Sequence, residues 1–233
     1  MSQSPARDGE RSLLTQPYQP GLNTPGAGLT GDGPSSWTSA ARWFARERTL
    51  TGMPIRDDVA AYFQAYDRDS FNVFAAGANA PSEAEVEAFE QQIGFRLPQD
   101  FREFTLSELG GLYIEVREEL WPRPKLFDVG PSWTFDYGFM VFGLSRQAPE
   151  WLDLRAQYEA FSADTGTNLV PILKGVTDAD RYCAAPDGSI VHWSHDEPDD
   201  PSPVNESFSD VLMQELAEIE ERLEHKRQTA TGV

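Results

Sequence analysis

Three glutamates, Glu115, Glu118 and Glu119, run into Trp121, and Asp128, Trp133 and Asp136 follow closely along the chain. Paired carboxylates are the groups that general acid–base chemistry uses, as in glycoside hydrolysis, where two of them face each other across a cleft. The same residues suit a second task, because tryptophans set in an acidic rim anchor protein interfaces. They also suit a structural one, since charge along a strand edge discourages pairing with other chains. The tryptophans favour binding first, and nothing in the spacing assembles a hydrolase pair.

A second acidic group, Asp196, Glu197, Asp199 and Asp200, is interrupted by Pro198 and followed by Pro201. A calcium loop needs spaced oxygen ligands and a glycine-permitted turn, and this stretch fits no such pattern. It reads either as a solvated loop or as a patch that meets basic residues of a partner. His192 and His195 suggest a metal pair, but on a strand they would point to opposite faces, and of other histidines only His225 remains. No metal and no cofactor is expected. Cys183 sits between apolar neighbours in RYCAA, as a core residue rather than a nucleophile would. The glycine-rich GAGLTGDG lacks the lysine and following helix of a phosphate loop.

The chain has 233 residues and a formal charge of −19, from 19 basic and 38 acidic side chains. Residues 1–50 carry five Arg against four acidic groups, so the acidity belongs to the remainder. Such a surface repels phosphate backbones and anionic lipid, and it speeds encounter with a basic protein. Neither nucleic acid nor a membrane is therefore expected as a partner. A single cysteine allows no internal disulfide. The opening MSQSPARDGERSLLTQ lacks the apolar run of a secretory signal. No apolar stretch approaches the roughly 20 residues that span a bilayer. A soluble, cytoplasmic protein is expected.

The elements that must position these groups can be read in turn. Residues 1–35, rich in Gly, Pro, Ser and Thr, predict a flexible tail. Trp37–Arg48 and Asp57–Tyr66 predict two helices of an N-terminal extension over 36–76. Ser82 with Glu85 forms a capping box. Val86, Phe89 and Ile93 share a helical face that Gly94 ends. A second helix opens at Leu97-Pro98, carries Phe101, Phe104 and Leu109, and is expected to stop at Gly110-Gly111 before the strand LYIEV. Trp133, Phe135, Tyr137, Phe139 and Val141 alternate as a strand does, with Gly138 as a bulge or turn. Trp151, Leu154, Tyr158 and Phe161 predict a crossover helix, and LVPILK a buried strand. Pro186-Asp187-Gly188 turns a hairpin between RYCAA and SIVHWS. After a polar stretch, Ser207 caps a last helix that buries Phe208, Leu212, Leu216, Ile219 and Leu223. The class is α+β, a mainly antiparallel sheet packed by N-terminal and C-terminal helices.

The joint G-x-x-LP-x-x-F and the terminal Gly-Gly resemble the opening signature of the SUKH superfamily, the SMI/KNR-type group. Further matches follow in order at Pro171, Ile172, Tyr182, Gly188, Trp193, His195, Asp196, Ser207, Phe208 and Leu212, over about 140 residues. Leu109 departs from the small polar residue common before Gly-Gly, and residues 1–76 find no counterpart. The resemblance implies a SUKH-like domain over 77–225, followed by a short tail at 226–233. It also implies a binding module rather than an enzyme. Relatives are known as bacterial immunity proteins, and as a fungal cell-wall regulator that suggests the alternative of a regulatory scaffold. The expected partner is a cognate protein toxin, basic in character, such as a nuclease, occluded at its active site. The expected toxin-binding residues are Glu115, Glu118, Glu119, Trp121, Asp128, Trp133, Asp196, Glu197, Asp199 and Asp200. The oligomeric state stays open.

Overall fold

A computed structural model describes residues 55–125, 130 and 134–231; the expected tail at 1–35, the Trp37–Arg48 helix, Asp128 and Trp133 lie outside these. The described helices are α1 (Asp57–Ala65), α2 (Glu83–Ile93), α3 (Gln99–Leu106), α4 (Leu154–Thr165) and α5 (Phe208–Thr231). The strands are β1 (Phe71–Ala75), β2 (Leu112–Val116), β3 (Gly138–Val141), β4 (Val170–Gly175), β5 (Arg181–Ala184), β6 (Ile190–Trp193) and β7 (Ser202–Val204). They form one seven-stranded sheet in chain order, antiparallel at every step. The α+β expectation holds.

Local chemistry explains most of the boundaries. Ser82 and Glu85 close the capping box at the start of α2, and Gly94 takes the left-handed conformation that ends it. Asp153 caps α4 by accepting from the backbone N–H of Arg155 and Ala156. At α5, Ser207 Oγ accepts from the Asp210 N–H at 3.2 Å. The Pro-Asp-Gly turn joins β5 to β6 as expected, with Gly188 at φ 84°.

The structure departs from the sequence reading at several elements. α3 ends at Leu106, not at the glycines, because Ser107 Oγ donates back to the Phe104 carbonyl and accepts from the Leu109 N–H. The glycines instead permit close approach. A Cβ on Gly110 would strike the Thr105 carbonyl, and one on Gly143 would strike the Gly111 backbone. β3 begins only at Gly138, which is neither bulge nor turn; a Cβ there would crowd Ile114 and Glu115 of β2. β1 and β7 had no counterpart in the sequence reading. β1 pairs along its whole length with β2, so the sheet starts before residue 77. β7 contains Pro203, which is tolerated because β7 is an edge strand. The last helix continues through the expected tail at 226–233 as far as Thr231.

Strand alternation sorts the two faces. Leu112, Ile114 and Val116 of β2 are fully buried, while Tyr113 and Glu115 between them are half-buried. The buried face meets α5. Phe208 of α5 packs edge-on against Phe101 and Phe104 of α3, with ring centroids 5.0 and 5.2 Å apart. Burying each such ring contributes about 2–3 kcal/mol. α1 joins the same core through Val59 and Phe63, and Tyr62 donates to Glu220 of α5 at 2.9 Å. On the other face α4 sets Phe161 against Trp193, centroids 4.9 Å apart, in a small cluster with Leu169, Cys183 and Ala185. Cys183 is thus a core residue, and burial pushes its thiol up to about 12.

Candidate interface at one end of the sheet

An antiparallel meander sends alternate connections to the same end of the sheet. The register places the end of β2 beside the start of β3, the end of β4 beside the start of β5, and the end of β6 beside the start of β7. The β2–β3, β4–β5 and β6–β7 connections therefore share one end; the second and third are acidic, while the first sets Arg117, Arg123 and Lys125 beside its carboxylates. The first carries Glu118, Glu119 and Asp136, the second Asp178 and Asp180, and the third Asp196, Glu197, Asp199 and Asp200. β2 and β6 are four strand spacings apart, or roughly 19 Å at about 4.8 Å each. That span is on the scale of one protein–protein contact patch.

The β6–β7 loop is the best organised of the three. Trp193, at the end of β6, donates its indole N–H to the Pro198 carbonyl at 3.2 Å, and the Asp200 N–H donates to Glu197 at 3.2 Å. Asp196, Glu197, Asp199 and Asp200 all stand exposed around these fastenings. His195 lies between two carboxylates, with Nδ1 2.6 Å from Asp180 and Nε2 3.4 Å from Asp196. The Asp180 hydrogen bond holds the imidazole above its usual range. Burial raises Asp180, but hydrogen bonds from His195 and Ser194 outweigh it and hold the carboxyl below its ordinary range. Folded-state stability from this pair is lost on the acid side as Asp180 protonates and on the alkaline side as His195 deprotonates.

His192 approaches the same carboxylate, with Nε2 4.0 Å from Asp180. The two histidines converge on Asp180 rather than on each other. Asp178, Asp180 and His195 bring three ligand atoms within 4.8 Å of one another, which is a spacing that could hold a cation. Hydrogen bonds within the turn already account for this grouping, since Asp178 accepts from the Asp180 N–H and Asp180 from the His195 N–H.

Behind this rim, α5 adds Glu215, Glu218 and Arg222. Burial, aided by the Glu218 charge, pushes Glu215 up to about 7, with Arg222 and a hydrogen bond from Tyr182 acting against it. Burial likewise raises Asp136, against the pull of Arg222. Arg222 lies 3.6 Å from Glu218. This half-buried layer was not foreseen as part of the site. Asp178 and Asp180, on either side of Ala179 in a turn between two strands, carried the available signal once alternate loops are known to share an end.

The expected binding residues divide three ways. Glu118, Glu119, Asp196, Glu197, Asp199 and Asp200 are exposed at the common end, with Glu119 3.6 Å from Arg117. Glu115 lies on the sheet itself, where Tyr113 donates to it at 2.6 Å and Arg123 pairs with it at 2.7 Å. Trp121 is wholly buried, so the expectation of a surface anchor gives way to a core role. Its indole N–H donates to the Thr134 carbonyl at 3.0 Å, and the Lys226 ammonium lies 4.6 Å from its ring centroid.

Among the described residues no helix is long and apolar enough to cross a membrane. The model of the SMI1 / KNR4 family (SUKH-1) matches residues 80–214, from just before α2 into α5. No curated protein matches the chain.

Proposed function

This chain belongs to the SMI1 / KNR4 family (SUKH-1), and on that premise we propose that it is an immunity protein that binds one cognate toxin and covers its active site. The family supports an immunity-type role in general. The observation that carries the finer reading is the gathering at one end of the sheet of the acidic β4–β5 and β6–β7 loops with Glu118 and Glu119 of the β2–β3 loop. A nuclease toxin holds phosphate with Lys and Arg, and those side chains are complementary to exposed carboxylates. Neutralisation is then steric, and the carboxylates steer the encounter. Because no bond is made or broken, this chain acts as a binding module and not as an enzyme.

Capture of the tagged full-length protein from its own cells is expected to bring down one stoichiometric partner with a basic domain. Many substoichiometric partners would favour a regulatory scaffold instead. With the partner in hand, the combined variant Glu118→Lys, Asp196→Lys, Glu197→Lys and Asp199→Lys is expected to slow association about 10- to 100-fold at low salt. The difference should shrink as salt rises. All four side chains are exposed, so the fold is expected to survive the change. Unchanged association kinetics would remove the acidic end from the interface.

A further inference from the structure

The sheet face turned away from α5 carries a cationic pair that nothing in the family match explains. Leu173 of β4 stands opposite Tyr182 of β5, so the next residues outward, Lys174 and Arg181, sit beside each other on the other face. Like charges directly opposite on neighbouring strands destabilise a sheet. Both side chains are half-buried, and among the described residues neither has a carboxylate within ion-pairing distance. The Arg181 guanidinium lies over Phe161, 4.8 Å from the ring centroid, and its Nε is buried with no acceptor. Buried donors are rarely left unmade, because each costs about 1–3 kcal/mol. Burial, reinforced by the Arg181 charge, pushes Lys174 down to about 8, while Asp178 acts weakly the other way. Burial lowers Arg181 too, against Cys183 and Asp164. Among the described residues the two cations thus stand together with no carboxylate within ion-pairing distance of either, and the charges of Asp178 and Asp164 reach them only from further off.

The surroundings indicate the shape of the missing group. Met140 is the cross-strand neighbour of Lys174, and Trp193 that of Arg181; both are buried. From Met140 an apolar strip continues to Tyr113, with Trp151 packed on Tyr113 and Phe74 at centroid distances of 5.5 and 6.4 Å. The strip suits an apolar side chain next to a carboxylate. The −19 charge of the chain disfavours a polyphosphate. We propose that Lys174 and Arg181 form a carboxylate-binding site that receives an acidic residue of a partner protein's peptide segment, with the apolar strip taking its neighbour. Lys174 and Arg181 flank the β4–β5 connection, so the site borders the acidic end and engages the same partner, and to that extent it rests on the proposed function.

The test uses the full chain, labelled for amide NMR and titrated with acetyl-Leu-Glu-amide, and separately with inorganic phosphate, at constant ionic strength. The peptide is expected to shift the amides of Met140, Lys174, Arg181 and Trp193. Lys174→Met and Arg181→Met are each expected to weaken it about tenfold or more. Lys174→Met removes a half-buried charge beside another, so it is expected to fold at least as stably as the parent, which separates lost binding from lost structure. No shift at these amides, or equal affinity in both variants, overturns the proposal. Phosphate binding there without the peptide overturns the carboxylate assignment.

Discussion

Trp121→Ala is expected to destabilise the fold by about 3–5 kcal/mol, the cost of removing a large, wholly buried aromatic side chain. The indole is fully enclosed, its N–H is bonded to the Thr134 carbonyl, and the Lys226 ammonium of α5 lies over its ring. Truncation would leave a cavity, remove the hydrogen bond to the Thr134 carbonyl, and loosen the end of α5 from the connection after β2. Urea unfolding monitored by far-UV circular dichroism checks this. A surface anchor would behave differently: the variant would unfold at the parental midpoint and lose only its partner. Parental stability would therefore contradict the core placement.

Glu215→Gln is expected to stabilise the protein at pH 8 and to leave it nearly unchanged at pH 5. Burial and the Glu218 charge push the Glu215 carboxyl up to about 7, from an ordinary value of 4.5. A carboxyl raised in this way binds its proton more tightly in the folded state. Its favourable contribution is complete below about pH 4.5 and is lost as pH rises towards 7, above which the charged form is a standing penalty. At 1.36 kcal/mol per pKa unit the penalty is on the order of 3 kcal/mol, an upper figure because the group is not fully enclosed. Glutamine keeps an oxygen that accepts from Tyr182 and cannot ionise. Comparing parent and variant at each pH cancels the His195–Asp180 pair, which both retain. A variant with no advantage at pH 8 would mean that Arg222 already neutralises Glu215.

Much of the scaffold was legible residue by residue. The capping box at Ser82, the left-handed Gly94, the strand LYIEV and the Pro-Asp-Gly hairpin appear where their local chemistry puts them. Each signal acts over a few residues, so no distant partner has to be known. β1 and β7 were not legible. Each is short, β7 contains a proline, and each exists because a neighbouring strand offers its backbone groups. Trp121 could not be assigned on sequence grounds either, since a tryptophan beside glutamates looks the same whether the chain then turns it inward or outward.

The sequence by itself determined the α+β class, the family resemblance and the excess of carboxylates. These follow from periodicity, capping, turn residues and composition. Only the tertiary structure decided which carboxylates act together, because a meander brings loops from residues 118 to 200 to one end through strand register alone. It also decided that Glu115 is paired with Arg123 while, among the described residues, Lys174 and Arg181 have no carboxylate within ion-pairing distance. Charge balance at a site depends on which strands become neighbours, and that is settled by long-range pairing.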